Sequence, residues 1–131
     1  MPAVQLVQTI LYVEEQERSA AFYRSILRRE PDLHVPGMTE FHFSPLCRLG
    51  LMPNRGIAKI LDGKTPHPDE GNGIPRCELY LKVDDAPAAY DHALACGAAP
   101  ISAVQPRDWG DLAGYLADPD GHIIVFAQSL A

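Results

Sequence analysis

Cysteine and tryptophan are scarce in this chain, with three cysteines and one tryptophan among 131 residues. Cys47, Cys77 and Cys96 stand far apart and form no C-x-x-C pair of the kind that binds zinc. An odd cysteine count without metal spacing argues against a disulfide scaffold and is typical of reduced thiols in a reducing compartment. We therefore expect free, mostly buried cysteines and a cytoplasmic protein.

Excess positive charge and long apolar runs are also missing. The net charge is −6 at pH 7, whereas nucleic acids and anionic membranes require a basic surface on their partners. No apolar run is long enough to cross a membrane, and the start MPAVQLVQTI lacks the basic flank of a signal peptide. We therefore expect no nucleic-acid partner and no membrane partner.

An internal repeat is the most informative feature that the sequence does contain. QTILYVEEQERSAAFYRSIL begins at Gln8, and ELYLKVDDAPAAYDHALACG begins at Glu78. In each copy an apolar strand ends in valine and two acids, and a helical pattern of apolar residues follows. The acids suit a helix N-terminus, where carboxylates accept hydrogen bonds from free N–H groups and meet the positive end of the helix dipole. Each copy therefore predicts a strand followed by a helix.

Short strand-like runs follow each helix and complete the repeat. They are TEFHF and RLGLMP in the first half, and AGYLA and HIIVFA in the second. The stretch between the halves is rich in glycine, proline and charge, which predicts an exposed linker. The sequence thus predicts one α+β domain of two β-α-β-β-β modules, at about residues 4–61 and 77–131, with a linker at about 62–76. Neither half could bury its sheet face alone, so we expect the halves to pack within one chain or across a homodimer.

These segments resemble the vicinal-oxygen-chelate superfamily, which includes glyoxalase I, bleomycin-resistance proteins and extradiol dioxygenases. The resemblance is carried by QTILYVEEQERSAAFY, LYLKVDDAPAAY and PRDWGDLAGYLADPDGHIIVF, and it covers nearly the whole chain. It implies curved mixed sheets that face each other around a cleft. In metal-dependent members, the metal is bound by one residue from the first strand and one from the last strand of each module.

The metal positions implied by this resemblance are only half filled. The first-strand positions fall on Gln8 and Glu78, which are both oxygen donors. The last-strand positions fall within LGLMP and on Val125, where metal-dependent members carry glutamate in the second module. Two oxygen donors make a poor site, since zinc takes about four donors and harder cations about six. We therefore expect no metal cofactor; the alternative is a divalent metal held by Gln8 and Glu78, with His42 or His67 as a borrowed ligand.

The resemblance also implies which side chains line the cleft, because side chains alternate along a strand and residues of equal parity share a face. Trp109 is placed in a loop at the mouth. The expected cleft residues are Gln8, Ile10, Tyr12, Glu78, Tyr80, Lys82, Trp109 and Val125. Such a lining suits a small organic ligand, with rings stacking on the aromatic side chains. Glyoxalases I with a similar opening carry arginine at the Tyr12 position to hold a glutathione carboxylate, so glutathione is not the expected ligand.

Each of these assignments has a structural alternative. Gln8 and Glu78 could bond to each other, or Glu78 could pair with Lys82. The tyrosines could be core residues, and Trp109 could be a turn residue packed over the sheet edge.

The favoured function is metal-independent binding of a bulky apolar or aromatic compound, such as an antibiotic, in the manner of bleomycin-resistance proteins. The alternative is a metal-dependent lyase, isomerase or dioxygenase with a reduced ligand set, and a third hypothesis is an accessory module without a ligand. The catalytic residues stay unknown, and binding without catalysis is preferred over an enzyme.

The closing stretch YLADPDGHIIVF places Asp118, Asp120 and His122 together just before the last strand. DPDG has the chemistry of a tight turn, in which proline fixes one dihedral angle and Gly121 supplies a positive φ. We predict a hairpin turn there rather than a metal or catalytic site.

Overall fold

The computed structural model describes residues 3–131 and contains two β-α-β-β-β halves, as the repeat predicts. None of its helices is long and apolar enough to span a membrane within that range. In chain order the elements are β1 (Val7–Val13), α1 (Gln16–Leu27), β2 (Leu33–Val35), β3 (Met38–Ser44), β4 (Cys47–Pro53), α2 (Asn54–Leu61), a 3-10 helix (Pro68–Gly71), β5 (Glu78–Lys82), α3 (Ala86–Ala95), β6 (Ala99–Pro106), β7 (Asp111–Ala117) and β8 (Ile123–Ser129).

The described chain forms two compact units, of residues 3–24 with 28–72 and of residues 25–27 with 73–131. The first unit holds a sheet of order β1-β4-β3-β2, in which β1 and β4 are parallel and the other pairs are antiparallel. The second holds a sheet of order β5-β8-β7-β6 with the same pattern. The sequence repeat is therefore a repeat of topology, and the prediction of an α+β fold with two mixed sheets is confirmed.

The paired acids cap only the second of the two repeat helices. The side chain of Asp85 accepts a hydrogen bond from the backbone N of Ala88 at 3.0 Å, and Pro87 lies in the first turn of α3. Glu15 stands at the N-cap of α1 without a side-chain cap, and its carboxylate lies 3.9 Å from Nε of Arg18. Because aspartate is a better cap than the longer glutamate, the capping prediction holds for α3 and is wrong for α1.

The aromatic residues of α1 are core residues, as their helical spacing predicts. Phe22 and Tyr23 are buried, and their ring centroids lie 5.2 Å apart in an edge-to-face arrangement. Leu11, Val13 and Leu51 are also buried in the first unit. Apolar burial of this kind stabilises the unit by roughly 25 cal/mol per Å² of surface removed from water.

Helix α3 lies close to its own sheet because β7 has a glycine at the contact. A Cβ added at Gly114 would lie 2.5 Å from Cδ2 of Tyr90 and 2.6 Å from Cγ2 of Val104. Tyr90 and Ala93 are buried on the side of α3 that faces this sheet. Any larger residue at position 114 would therefore force the helix or its side chains to move.

Two short helices were not anticipated from the sequence. Helix α2 buries Ile57, and the 3-10 helix lies inside the predicted linker. Nδ1 of His67 accepts a hydrogen bond from the backbone N of Asp69 at 3.1 Å, so this histidine caps the 3-10 helix.

The cysteines are free, but the expectation that they are mostly buried is wrong. Cys47 and Cys77 are exposed, and Cys96 is half-buried. Cys47 begins β4 and Cys77 directly precedes β5, so both lie at strand ends where the sheet gives little cover.

The turn before β8 has the geometry that DPDG predicts. Oδ1 of the buried Asp118 accepts hydrogen bonds from the backbone N of Asp120 at 2.8 Å and of His122 at 2.9 Å. Gly121 has a φ of 89°, which a residue with a Cβ rarely adopts. The aspartate therefore organises the turn.

Candidate functional site

Gln8 and Ile10 lie on the face of the first sheet opposite the buried Leu11 and Val13. A Cβ added at Gly50 would lie 2.8 Å from Nε2 of Gln8 and 3.1 Å from Cγ1 of Ile10, which places both side chains over β4. Gln8 is half-buried, whereas Ile10 and Tyr12 each keep 39% of their surface exposed.

Four polar side chains on this face form what we call the first-sheet polar cluster: Gln8, Glu40, His42 and Arg48. Nε2 of Gln8 donates to Oε2 of Glu40 at 3.0 Å, and Nε2 of His42 lies 2.9 Å from Oε1 of Glu40. Nη1 of Arg48 lies 3.7 Å from the same Oε1. The hydrogen bonds from His42 and then Gln8 hold the pKa of the Glu40 carboxyl below its ordinary value. Glu40 is therefore a carboxylate whose charge is compensated within the cluster.

The residues at the implied metal positions do not fit a divalent metal. Gln8 donates its amide N–H to Glu40, and Gly50, the β4 residue beneath that side chain, has no donor side chain. Val125 is apolar and has no exposed surface. Within residues 3–131, no three His, Cys, Asp or Glu side chains are arranged to hold a metal ion.

The second sheet carries the other strand residues of the expected set. Glu78, Tyr80 and Lys82 alternate along β5, where Tyr80 is paired with Val125 and Lys82 with Ala127 of β8. Glu78 and Lys82 are exposed, and Tyr80 is half-buried.

A five-residue turn, residues 107–111, brings three further side chains to this sheet. The backbone N of Arg107 donates to O of Asp111 at 2.8 Å, and N of Gly110 donates to O of Arg107 at 3.2 Å. Gly110 has a φ of 93°. The closed turn holds Arg107, Trp109 and Asp111 at alternate positions, and we call it the Trp109 turn.

The Trp109 turn and β5 are joined through the hydroxyl of Tyr80. This hydroxyl donates to Oδ2 of Asp111 at 2.6 Å and accepts a hydrogen bond from Nε1 of Trp109 at 2.8 Å. Nζ of Lys82 donates to Oδ1 of Asp111 at 3.1 Å and to Oγ of Ser129 at 3.0 Å. The proposed pairing of Lys82 with Glu78 is therefore wrong.

Hydrogen bonding and burial shift the pKa values of the acidic groups in this network. The hydrogen bonds from Tyr80 and then Lys82 hold the pKa of the Asp111 carboxyl below its ordinary value. Burial, and then the hydrogen bond to Asp111, raises the pKa of the Tyr80 hydroxyl. At neutral pH, Asp111 is thus the anionic acceptor and Tyr80 the neutral donor.

Aromatic rings, rather than Val125, form the surface of this part of the sheet. Val125 belongs to a buried cluster with Ala113 and Ala127, and Tyr80 and Tyr115 pack against it. Trp109 keeps 58% of its surface exposed. We call Tyr80, Trp109 and Tyr115 the second-sheet aromatic face; a molecule that binds here contacts these rings and leaves Val125 beneath them.

Sequence reasoning missed several residues that organise these two faces: Glu40, Asp111, Arg107 and Tyr115. Tyr115 pairs with Val125 across β7 and β8, so the parity argument applied to AGYLA would have found it. Asp111 gave no local signal, because its partners Tyr80 and Lys82 lie far away in the chain. Glu40 has a local partner, since His42 lies two residues later on the same face of β3.

A separate cavity of about 530 Å³ opens in the first unit and contains none of the expected site residues. It lies at the start of α1, where Nε2 of His34 is 3.0 Å from Oε1 of Glu17 and Nδ1 of His34 is 2.7 Å from Oγ1 of Thr39. Gln16 donates to the same Thr39 hydroxyl at 2.9 Å. These contacts tie α1 to β2 and β3.

Comparison with solved structures finds the same fold in several proteins. A glyoxalase-related enzyme from Fulvimarina pelagi is 21% identical with a TM-score of 0.80, over 95% of this chain and 88% of that one. A glyoxalase/bleomycin resistance protein/dioxygenase family enzyme from Burkholderia phytofirmans is 14% identical with a TM-score of 0.77, over 94% and 97% of the two chains. At these identities the likeness concerns the fold.

Sequence comparison adds relatives and a family. Uncharacterized proteins from Mycobacterium bovis and Mycobacterium tuberculosis are each 35% identical over 72 residues, which are 55% of this chain and 47% and 42% of theirs. The chain thus spans less than half the length of the curated relatives it matches. The model of the glyoxalase-like domain family matches residues 8–126, which include both β-α-β-β-β halves. The chain belongs to the glyoxalase-like domain family, within the glyoxalase/bleomycin resistance/dioxygenase superfamily.

Proposed function

We propose that this protein binds a bulky, planar apolar or aromatic compound, such as an antibiotic, and that binding requires no metal. The ligand lies against the second-sheet aromatic face. The observation that carries the proposal is the hydrogen-bonded chain from Trp109 through Tyr80 to Asp111, with distances of 2.8 and 2.6 Å.

This chain of hydrogen bonds orients two rings before any ligand arrives. Both polar atoms, Nε1 of Trp109 and Oη of Tyr80, are bonded to protein partners, so the ring faces are left for apolar contact. Aromatic pairs contribute about 0.5–1.5 kcal/mol beyond the burial of their area. Side chains that are already ordered lose less conformational entropy on binding, which favours affinity.

Independence from metal is supported by the partners of the polar residues. Glu40 accepts from Gln8 and His42 and lies beside Arg48, and Asp111 accepts from Tyr80 and Lys82. A divalent cation would have to displace these donors from either carboxylate. The ordinary role of such compensated carboxylates is to hold other side chains in place.

The proposal is tested with the fluorescence of Trp109, which is the single tryptophan of the chain. A panel of planar aromatic antibiotics and fused-ring compounds, including naphthalene-2-carboxamide, is titrated into the protein, and thermal unfolding is followed in parallel. We expect at least one compound to change the Trp109 emission and raise the melting temperature, with the same affinity after exhaustive chelation. A melting temperature that rises with micromolar Zn²⁺, Ni²⁺ or Mn²⁺, together with binding that disappears on chelation, would refute metal independence.

Two variants at one position separate the ring from its hydroxyl. Tyr80→Leu removes the ring and should weaken binding at least tenfold, since about 1.4 kcal/mol corresponds to a factor of ten. Tyr80→Phe keeps the ring but removes the hydroxyl that holds Trp109, so it should weaken binding by a smaller factor, about threefold. Equal affinities for all three proteins would place the ligand elsewhere.

A further inference from the structure

The guanidinium of Arg107 is held rigidly beside the second-sheet aromatic face. Nε and Nη2 donate to O of Ala113 at 3.2 and 3.0 Å, and Nη2 also donates to Oγ of Ser102 at 2.9 Å and to O of Ala103 at 3.0 Å. Its Cζ lies 5.0 Å from the ring centroid of Tyr115. All of these contacts are with neutral groups, so they fix the position of the cation and leave its charge uncompensated.

Arg107 differs in this respect from the other half-buried arginine of the described chain. Arg48 lies 3.7 Å from a carboxylate oxygen of Glu40, whereas Arg107 has no carboxylate partner within residues 3–131. Over the same range, Nη1 of Arg107 also has no hydrogen-bond acceptor. A partly desolvated cation with open N–H groups is stabilised by a bound anion, and a guanidinium matches the planar shape of a carboxylate.

Arg107 lies at the Tyr115 end of the second-sheet aromatic face. Tyr115 and Tyr80 are the partners of Val125 on the two sides of β8, so they lie about 10 Å apart at ordinary strand spacing. Arg107 lies over Tyr115, and Trp109 bonds to Tyr80. A planar ligand that spans the face from Trp109 toward Tyr115 therefore ends near the guanidinium of Arg107.

We infer that the ligand is an aromatic monoanion, whose carboxylate or phenolate is bound by Nη1 of Arg107 while its ring system contacts Tyr80, Trp109 and Tyr115. This inference rests on the proposed function and adds the chemical class of the ligand. Lys82 does not take this part, because Asp111 compensates its charge.

The test compares two probes of nearly equal shape, naphthalene-2-carboxylate and the neutral naphthalene-2-carboxamide, by Trp109 fluorescence and calorimetry. We expect wild-type protein to bind the carboxylate about tenfold more tightly than the amide. Arg107→Gln should abolish this preference, so that the variant binds the two probes with equal affinity. Arg76→Gln, which removes an exposed positive charge in the same unit, is the matched control and should keep the preference.

The outcomes distinguish the inference from the proposal beneath it. Equal affinity of wild-type protein for both probes overturns the inference and leaves ligand binding on the face intact. Binding of neither probe, with no other aromatic compound active, overturns both. A preference that survives Arg107→Gln overturns the role of this residue.

A second measurement covers the case in which Arg107→Gln does not fold, since the side chain also satisfies backbone carbonyl groups. In wild-type protein, raising the salt concentration from 0.05 to about 0.5 M should weaken carboxylate binding severalfold and leave amide binding unchanged. A salt-independent preference for the carboxylate would overturn the inference.

Discussion

The hydroxyl of Tyr80 offers a sharp test of how the aromatic face is organised. Tyr80→Phe removes one oxygen that donates to Asp111 at 2.6 Å and accepts from Trp109 at 2.8 Å. A hydrogen bond contributes about 0.5–1.5 kcal/mol, and one to a charged group about 1.5–3 kcal/mol. Because Tyr80 is only half-buried, water can replace part of both interactions. We therefore expect the free energy of unfolding to fall by about 1–2 kcal/mol.

The assay combines denaturant unfolding with the emission of Trp109. Unfolding in guanidinium chloride gives the free energy from the midpoint and slope, and the slope should not change. Loss of the bond to its indole N–H should release Trp109, so its steady-state fluorescence anisotropy should fall and its emission should shift toward longer wavelength. Both effects come from the same missing oxygen.

Tyr115→Phe is the matched control for this change. Tyr115 lies on the same face, and its hydroxyl has no hydrogen-bond partner within residues 3–131. Its removal should change stability by less than about 0.5 kcal/mol and leave the Trp109 signal unchanged. The reasoning is refuted if Tyr80→Phe behaves like this control, or if both variants lose the same stability.

Three further predictions concern other parts of the chain. The pKa of Glu40 is lowered chiefly by the hydrogen bond from His42, so stability should be full above the ordinary value of 4.5 and decline as pH falls through the folded value. Glu40→Gln should flatten that decline in unfolding experiments between about pH 2 and 6. Asp118→Ala should lower stability by about 2 kcal/mol because two backbone N–H groups lose their acceptor, whereas Asp118→Asn, which keeps Oδ1, should lose less than half of that in chemical unfolding. Gly114→Ala should cost about 1–3 kcal/mol by crowding Tyr90, and Tyr90→Leu in the same chain should restore part of it in a double-mutant cycle.

The order of the strands and helices could be predicted because it depends on local sequence patterns. Strand alternation, the valine followed by two acids, and Asp118 with Gly121 each depend on residues a few positions apart. Helix α2 was not predicted because its eight residues include a glycine and Ile57 is the buried residue among them. The prediction that Glu15 caps α1 was wrong for a similar local reason. The side chain of Arg18 lies one turn away and attracts the Glu15 carboxylate.

The candidate site was only partly predictable because its partners come from distant parts of the chain. Parity placed Tyr80 and Lys82 on one face, but nothing in β5 shows that Asp111 bonds to both. Likewise, the sequence identified Gln8 as a residue whose amide oxygen could bind a metal. In the structure its amide nitrogen donates a hydrogen bond to Glu40. Side-chain identity fixes what a residue can do, and register and turn geometry decide which partner it meets.

The Trp109 turn supplies much of the chemistry of the second-sheet aromatic face from one short segment. Arg107, Trp109 and Asp111 supply a cation, a ring and an acid from five consecutive residues, and the turn is closed by its own backbone hydrogen bonds. The strands beneath contribute Tyr80 and Tyr115, which pack over buried small and apolar residues such as Ala113 and Val125. Because Asp111 bonds to β5 and Arg107 bonds to β6 and β7, exchange of residues 107–111 should alter ligand preference and the stability of the sheet together.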